Sequence, residues 1–239
     1  MIRKTEAIVL NTRKFGDSSL ICSMYTRRYG RQNYLIKGYR STKSRKRHSY
    51  FQPMSIIEAV FYYKETRDLQ LITETHNRYF FRSLQTDPIK ITLGMVVAEV
   101  FYLSVREEEQ NVPLFEFLRE TLVDLDTSPS RLIHRFIYYL VHLTRYLGFF
   151  PDNVVRDPEA PVYFDVQNGR LENAPGARTS DRLVALFCGV DRARCADIPF
   201  NNADKSAVIT TLLEYYQTHV EGFRRPESLK VLMEVFSGG

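Results

Sequence analysis

Five short stretches of alternating apolar and polar residues occupy the first third of this chain and constrain its fold more than any other feature. Turn-forming sequences such as FGDS, RYG and ETRD separate neighbouring stretches, which recur about every ten residues. A small closed β-barrel requires this spacing, and a five-stranded barrel of this size is the OB-fold, which usually binds oligonucleotides. The predicted strands span residues 5–14, 19–26, 31–38, 55–64 and 69–76.

The rest of the chain is predicted to be mainly helical. Asp87 followed by Pro88 is typical of a helix start, and the apolar run after this pair predicts a buried helix. Ser128 and Pro129 repeat the same start for a later helix, which Gly148 would end. The predicted helices span residues 86–105, 112–126, 127–148, 180–189, 203–221 and 226–236.

A Pro-rich segment, residues 149–178, interrupts these helices. Within it, VYFDV and the NG dipeptide that follows predict a short β-hairpin at 162–172. We therefore predict an α+β protein, in which an N-terminal five-stranded OB-fold barrel precedes a mainly α-helical domain with a short β-hairpin insertion. The expected domains are residues 1–80 and residues 81–239.

Positive charge is concentrated in the predicted barrel. Residues 1–80 contain 16 Lys and Arg against 6 Asp and Glu, whereas the remainder contains 17 against 22. The densest cluster lies in KGYRSTKSRKRHSYFQP, residues 37–53, where polar residues separate the cations and leave no apolar face to bury. We interpret it as a solvated loop or ribbon that binds nucleic acid, while a purely solubilising loop is the alternative. Its cations are Lys37, Arg40, Lys43, Arg45, Lys46 and Arg47.

Further candidates for nucleic-acid contact lie at two nearby predicted turns, which can flank one groove of a barrel. Tyr34 and Tyr39 interleave with the charges, and stacking of unpaired bases on such rings contributes about 1–3 kcal/mol per base. Either ring can instead fill the barrel core. The predicted recognition is of backbone charge and stacking, with little reading of base sequence. The cations are Arg13 at the first turn and Arg27, Arg28 and Arg31 around the second.

Catalytic and metal-binding motifs are absent from the sequence. The chain has no phosphate-binding glycine motif, no HExxH and no GxSxG, and its three cysteines form no CxxC pair. Cys22 lies in an alternating apolar stretch and is predicted to be a core residue. His134 and His142 lie two turns apart on one predicted helix without an adjacent carboxylate pair, and we interpret them as helix-surface residues. We therefore expect no enzyme activity, no cofactor and no small-molecule substrate.

The sequence also bears on cellular location. No stretch approaches the roughly 18 uninterrupted apolar residues of a membrane span, and the N-terminal MIRKTEAIVLNTRK alternates and carries charge. Sparse cysteines fit a reducing compartment. We expect a cytoplasmic protein that does not bind membranes.

The order and spacing of several motifs resemble the RecO family of bacterial recombination and repair mediators. In the first third these motifs are AIVL in a strand, an acid in the first turn, YT…YG, KG.R…S and a QP before the fourth strand. The similarity continues through AEVFYLSVREEEQNVPLFEFL, YYLVHLTRYLGFFPD and ESLKVLMEVF. It therefore covers nearly the whole chain.

This resemblance implies an OB-fold followed by a helical domain, without a catalytic centre. It implies binding of single- and double-stranded DNA, strand annealing, and help in loading recombinase on DNA coated with single-stranded-DNA-binding protein. The implied partners are RecR and the acidic C-terminal tail of the single-stranded-DNA-binding protein, in a nucleoid-associated location in bacteria. The family's DNA-contacting basic residues map most naturally onto the cations between Lys37 and Arg47, and less directly onto those at the two turns.

Two features depart from the resemblance. Some relatives carry two CxxC pairs shortly after a G.FP segment, whereas LGFFPDNVVRDPEAPVYFDV contains none, so no zinc is expected and packing alone would hold the hairpin. OB-folds usually bind ligands on the face of strands 2 and 3, but the basic segment follows strand 3. It can extend that groove or form a separate duplex-binding edge.

Two other functions stay open from the sequence. An interaction scaffold would use the basic segment for acidic protein tails, and it would bind an acidic peptide without measurable affinity for DNA. A hydrolytic enzyme acting on DNA would show divalent-metal-dependent cleavage, although the sequence lacks the carboxylate cluster that such an enzyme uses.

Overall fold

The computed structural model describes residues 1–39, 49–153, 162–173, 183, 187 and 199–237, which form two compact units, Met1–Thr127 and Ser128–Gly239. The first unit contains strands β1 (Ile2–Phe15), β2 (Ser19–Thr26), β3 (Gly30–Lys37), β4 (Ile56–Tyr62) and β5 (Leu69–Asn77), and helices α1 (Pro88–Ser104) and α2 (Val112–Thr127). The second contains helices α3 (Leu132–Tyr146), α4 (Asn202–His219) and α5 (Leu229–Ser237), and strands β6 (Asp152–Asn153), β7 (Val162–Asp165) and β8 (Arg170–Asn173).

The five strands of the first unit close into a barrel in the order β1-β2-β3-β5-β4. All neighbours pair antiparallel except β3 and β5, which pair in parallel. Strand β1 is long enough to pair with β4 along its first half and with β2 along its second, and its register with β2 shifts between Val9 and Asn11. Such a bulge bends a strand and helps a small barrel to close. The predicted five-stranded OB-fold barrel is confirmed.

Alternate side chains along these strands fill the barrel. Cys22 is completely buried, as predicted from its alternating surroundings, and burial raises the pKa of its thiol far above the ordinary value. The thiol is therefore protonated and unreactive at neutral pH. The buried core cluster consists of Ala7, Val9, Cys22, Met24, Tyr34, Ile36, Phe51, Ile57, Ala59 and Phe61.

Helix α1 begins as the sequence predicts. The Asp87 carboxylate accepts the backbone N–H groups of Ile89 at 2.9 Å and Lys90 at 3.0 Å, and Pro88 occupies the first helical turn. Its apolar run is buried, as expected, over much of its length. A side chain at Gly94 would overlap Met54, so the glycine permits a close approach to the chain that precedes β4.

Asp126 at the end of α2 holds the chain segment that follows the barrel. Its side chain is almost completely buried, with the residue 2% exposed. The carboxylate accepts backbone N–H bonds from Arg82 at 3.0 Å, Ser83 at 2.8 Å and Leu84 at 2.7 Å, and the Tyr79 hydroxyl donates to it at 3.2 Å. One side chain thus satisfies the polar groups of a whole turn within the first unit.

The second unit departs from the sequence in two places. Helix α3 begins at Leu132, because Arg131 before it adopts a left-handed backbone with φ 59°. The predicted start at Ser128 and Pro129 was therefore wrong. His134 is 5% exposed and meets the ring of Phe200 edge-on at 5.2 Å, so its interpretation as a surface residue was wrong too.

The predicted hairpin is confirmed as β7 and β8, which β6 extends into a three-stranded sheet. Phe164 is buried from the hairpin and lies edge-on to Tyr215 of α4 at 4.9 Å. The Tyr215 hydroxyl donates to the Phe149 carbonyl and lies against Gly169, where a side chain would overlap it. Aromatic packing therefore fastens the hairpin to α4.

Two absences characterise the described part of the chain. Its residues include no group of three or more His, Cys, Asp or Glu that could hold a metal ion. None of its helices is both long enough and apolar enough to cross a membrane. The compact units divide after Thr127 and the barrel strands end at Asn77, and the domain division at residue 80 stays a prediction.

Candidate nucleic-acid interface

Four exposed residues at the β1–β2 turn and the end of β3 form what we call the hairpin surface: Arg13, Lys14, Phe15 and Lys37. Phe15 pairs with Ser19 of β2, which pairs with Lys37 of β3, so the two side chains lie about two strand spacings, or roughly 10 Å, apart. Within the described residues, no carboxylate forms an ion pair with any of the three cations. The positive charge of this surface is therefore available to a polyanion.

A row of mostly apolar side chains runs around the outside of the barrel from this surface. Each residue in the row pairs directly with the next across neighbouring strands, which places their side chains on one face. Tyr62 is 51% exposed and Ile2 58% exposed at its far end. The exposed ring of Tyr62 offers a face for an unpaired base at a distance from the charged surface. The row consists of Arg13, Ile21, Leu35, Leu71, Tyr62 and Ile2.

The basic segment starts at the hairpin surface. Lys37 ends β3, and the backbone N–H of the half-buried Tyr39 donates to the Ser18 carbonyl in the β1–β2 turn at 2.9 Å. Tyr39 also packs partly against the barrel core. The remaining candidates of this segment lie outside the described residues, and their contact with nucleic acid stays a prediction. They are Arg40, Lys43, Arg45, Lys46 and Arg47.

Tyr34 does not belong to this surface. It is completely buried and its ring meets Phe61 edge-on at 5.1 Å inside the barrel. It pairs with Cys22, and both side chains point inward because strand residues alternate between faces. Burial raises the pKa of its hydroxyl far above the ordinary value. The expectation that Tyr34 stacks on a base was therefore wrong, since no base can reach it.

Arg31 contacts the end of helix α1 within the first unit. Its guanidinium donates to the carbonyls of Tyr102 at 2.8 Å and Val105 at 3.0 Å at the end of α1, and it lies 4.5 Å from the centre of the Tyr102 ring. A cation at a helix C-terminus complements the helix dipole. Burial is the main cause that lowers the pKa of Arg31. Both hydrogen bonds use the Nη1 group, so this part of the guanidinium serves the first unit, and the contact of Arg31 with DNA stays a prediction.

The two basic turns lie at opposite ends of β2 and do not flank one groove, contrary to the sequence-based expectation. Strand β2 has eight residues and spans about 23 Å at roughly 3.3 Å per residue. At the far turn, the Arg27 guanidinium pairs with Glu116 of α2 at 3.0 Å. Arg28 is exposed and has no ion-pair partner within the described residues. Only Arg13 of the turn candidates lies at the hairpin surface.

Another segment of the first unit packs against the far turn through its backbone. The acidic loop, residues 106–111, packs against it, with the Arg31 N–H donating to the Glu107 carbonyl at 2.6 Å. Gly30 has φ 58°, and a side chain there would overlap the backbone of this loop. The contact therefore requires glycine, because of both the positive φ and the close approach of the loop backbone. The acidic loop thus packs at the end of β2 that lies away from the hairpin surface.

Two exposed aromatic residues, Phe15 and Tyr62, were not predicted from the sequence. Phe15 is 52% exposed, and it could have been identified because it follows two cations and directly precedes a turn. Tyr62 lies within AVFYYK, where three aromatic residues in succession do not indicate which ring faces outward.

Comparison with known proteins agrees with this architecture. The chain matches the families "Recombination protein O N terminal" over residues 1–79 and "Recombination protein O C terminal" over residues 85–228. It is 33% identical to the DNA repair protein RecO of Christiangramia forsetii over 243 residues, which cover 99% of this chain and 100% of the relative. The RecO protein of Flavobacterium johnsoniae is 32% identical over 247 residues (98% and 99%), and that of Bacteroides fragilis 31% over 244 (99% and 100%). This chain belongs to the RecO family of DNA repair and recombination proteins.

Proposed function

We propose that this protein is a non-enzymatic mediator that binds single- and double-stranded DNA through the outside of its barrel and promotes annealing of complementary strands. The observation that carries the proposal is the hairpin surface, where three exposed cations lie close to the exposed Phe15 and have no carboxylate partner within the described residues. The basic segment begins at the same place, after Lys37.

The mechanism follows from the charge and the rings. Cations that neutralise phosphates release counterions, which favours binding of any sequence and lowers the repulsion between two strands. Exposed rings hold unpaired bases by stacking without reading their edges. Strands held in this way keep their pairing edges free, so complementary bases can meet.

Interactions with other proteins complete the proposal. We infer that the protein helps to load recombinase on DNA coated with single-stranded-DNA-binding protein, whose acidic tail would bind the helical part, and that RecR is a second partner. Membership of the RecO family supports these partners.

A salt series tests the DNA contact. We would measure fluorescence anisotropy of a labelled single-stranded oligonucleotide with the wild type and with Lys37→Gln, Arg13→Gln and the double variant. Each lost phosphate contact is expected to lower the slope of log affinity against log salt by about 0.7 for single strands. Arg106→Gln is the matched control, because Arg106 is an exposed cation next to three glutamates within the acidic loop and is not expected to meet a polyanion.

The basic segment is tested in the same assay with Arg45→Glu, Lys46→Glu and Arg47→Glu combined. We expect lower affinity and a lower slope than for the wild type, with folding intact. Addition of the complementary strand to the wild-type complex should give accelerated annealing. Flat anisotropy at low salt, together with binding of an acidic peptide, would instead identify a protein-interaction scaffold.

A further inference from the structure

A second group of cations lines a groove at the far end of β2, within the first unit. The groove has a volume of about 230 Å³ and is formed by the start of β1, the β2–β3 turn, β4 and the residue that follows β5. We call it the Arg28 groove. Its lining residues are Lys4, Thr5, Glu6, Arg27, Arg28, Glu58 and Arg78.

The carboxylates of this groove are already paired with cations. Glu58 lies 2.7 Å from the Lys4 ammonium and 3.7 Å from the Arg78 guanidinium, and only 12% of its side chain is exposed. The hydrogen bond from Lys4 is the largest of the causes that lower the pKa of Glu58. Glu6 lies 3.5 Å from the Arg119 guanidinium of α2.

Pairing leaves an excess of positive charge. Four cations and two carboxylates line the groove, so two positive charges of the lining are not balanced within it. The cations are Lys4, Arg27, Arg28 and Arg78, and the carboxylates are Glu6 and Glu58.

The paired cations stay accessible. The side chains of Lys4, Arg78 and Arg27 are 62%, 53% and 48% exposed, and Arg28 extends into solvent without an ion-pair partner among the described residues. The carboxylates therefore fix the positions of long basic side chains along the groove without covering them. Phe80, two residues beyond Arg78, is 76% exposed and adds an aromatic ring to the same region.

We propose that the Arg28 groove binds the phosphate backbone of a second DNA strand while the first strand occupies the hairpin surface. This inference rests on the proposed function. The two surfaces lie at opposite ends of β2, about 23 Å apart, so one barrel can hold two strands at separate places. The position of Arg28 suits it to make the first contact, because Arg28 has no ion pair within the described part of the chain to break before it meets a phosphate.

The experiment separates capture of the first strand from capture of the second. Arg28→Gln is compared with the wild type in two assays: anisotropy of a limiting single-stranded oligonucleotide, which reports the tighter surface, and the rate of annealing after the complement is added. We expect unchanged single-strand affinity and slower annealing. The slope of log annealing rate against log salt should fall by about 0.7, equivalent to about 2.6-fold between 50 and 200 mM salt.

Two further variants make the result specific. Arg28→Lys keeps the charge and should anneal at the wild-type rate, and Arg106→Gln removes an exposed charge outside the groove and should also match the wild type. Circular dichroism should be the same for all variants, since the Arg28 side chain makes no ion pair within the described residues.

The outcomes distinguish this inference from the proposed function. Wild-type annealing by Arg28→Gln, with normal loss of affinity in Lys37→Gln, overturns the second-strand groove and leaves the DNA-binding function intact. Equal losses of single-strand affinity and annealing in Arg28→Gln also overturn it, because the same strand then crosses both surfaces. Absence of oligonucleotide binding by the wild-type protein overturns the proposed function itself.

Discussion

Replacement of Asp126 should expose how strongly the first unit depends on one buried carboxylate. Asp126→Ala leaves three backbone N–H groups and the Tyr79 hydroxyl without their acceptor. Of the three residues that donate N–H groups, Leu84 is completely buried, so water cannot readily replace the lost bond there.

The magnitude follows from the number and burial of these bonds. Hydrogen bonds to a charged group contribute about 1.5–3 kcal/mol each, but four of them that share one carboxylate do not add independently. Water can reach the partly exposed donors, so we expect Asp126→Ala to lower the free energy of unfolding by about 3–5 kcal/mol. Asp126→Asn keeps one acceptor oxygen and should cost about 2 kcal/mol.

The same carboxylate should make stability depend on pH. Burial alone would raise the pKa of Asp126, but the hydrogen bonds from Arg82, Leu84, Ser83 and Tyr79 outweigh it and lower the pKa below the ordinary value. The ionised form therefore stabilises the fold above the unfolded pKa of about 3.9. This contribution is lost as pH falls through the lower folded pKa, so the difference between wild type and Asp126→Asn should be constant near neutrality and shrink below about pH 4.

The assay combines urea unfolding from pH 3 to pH 7 with hydrogen exchange of residues 82–84. These amides should be protected in the wild type and exchange rapidly in Asp126→Ala. Asp68→Ala is the control, since Asp68 is an exposed acid in the β4–β5 loop. Equal destabilisation by Asp126→Ala and Asp68→Ala, or parallel pH profiles of wild type and Asp126→Asn, would refute the reasoning.

Two further predictions separate structural residues from DNA contacts. Arg31→Gln removes a charged donor from two carbonyls at the end of α1 and should lower the free energy of unfolding by about 2 kcal/mol. The slope of log DNA affinity against log salt should not change. Normal stability with a reduced slope would instead identify Arg31 as a DNA contact. Tyr34→Phe removes a buried hydroxyl that has no hydrogen-bond partner within the described residues. Urea unfolding should therefore show equal or slightly greater stability, and fluorescence anisotropy should show the wild-type affinity for DNA. Weaker DNA binding would contradict the burial of this ring.

The barrel could be predicted because alternation and turn spacing are local properties of the chain. Residues of one strand that alternate inward and outward must share a core, and five such strands suffice to close a small barrel. Where apolar residues follow one another without alternation, the sequence does not show which aromatic side chain points into the core. In NYLI, Tyr34 and Leu35 are adjacent and equally apolar by pattern, yet only Tyr34 enters the core.

The basic residues show why net charge alone does not locate a binding surface. Arg13 and Arg31 look alike in the sequence, but the acceptors of Arg31 lie more than 70 residues further along the chain, at Tyr102 and Val105. No local pattern contains that contact. The end of α1 and the acidic loop meet the β2–β3 turn of the barrel, so tertiary contacts decide which of its cations are available.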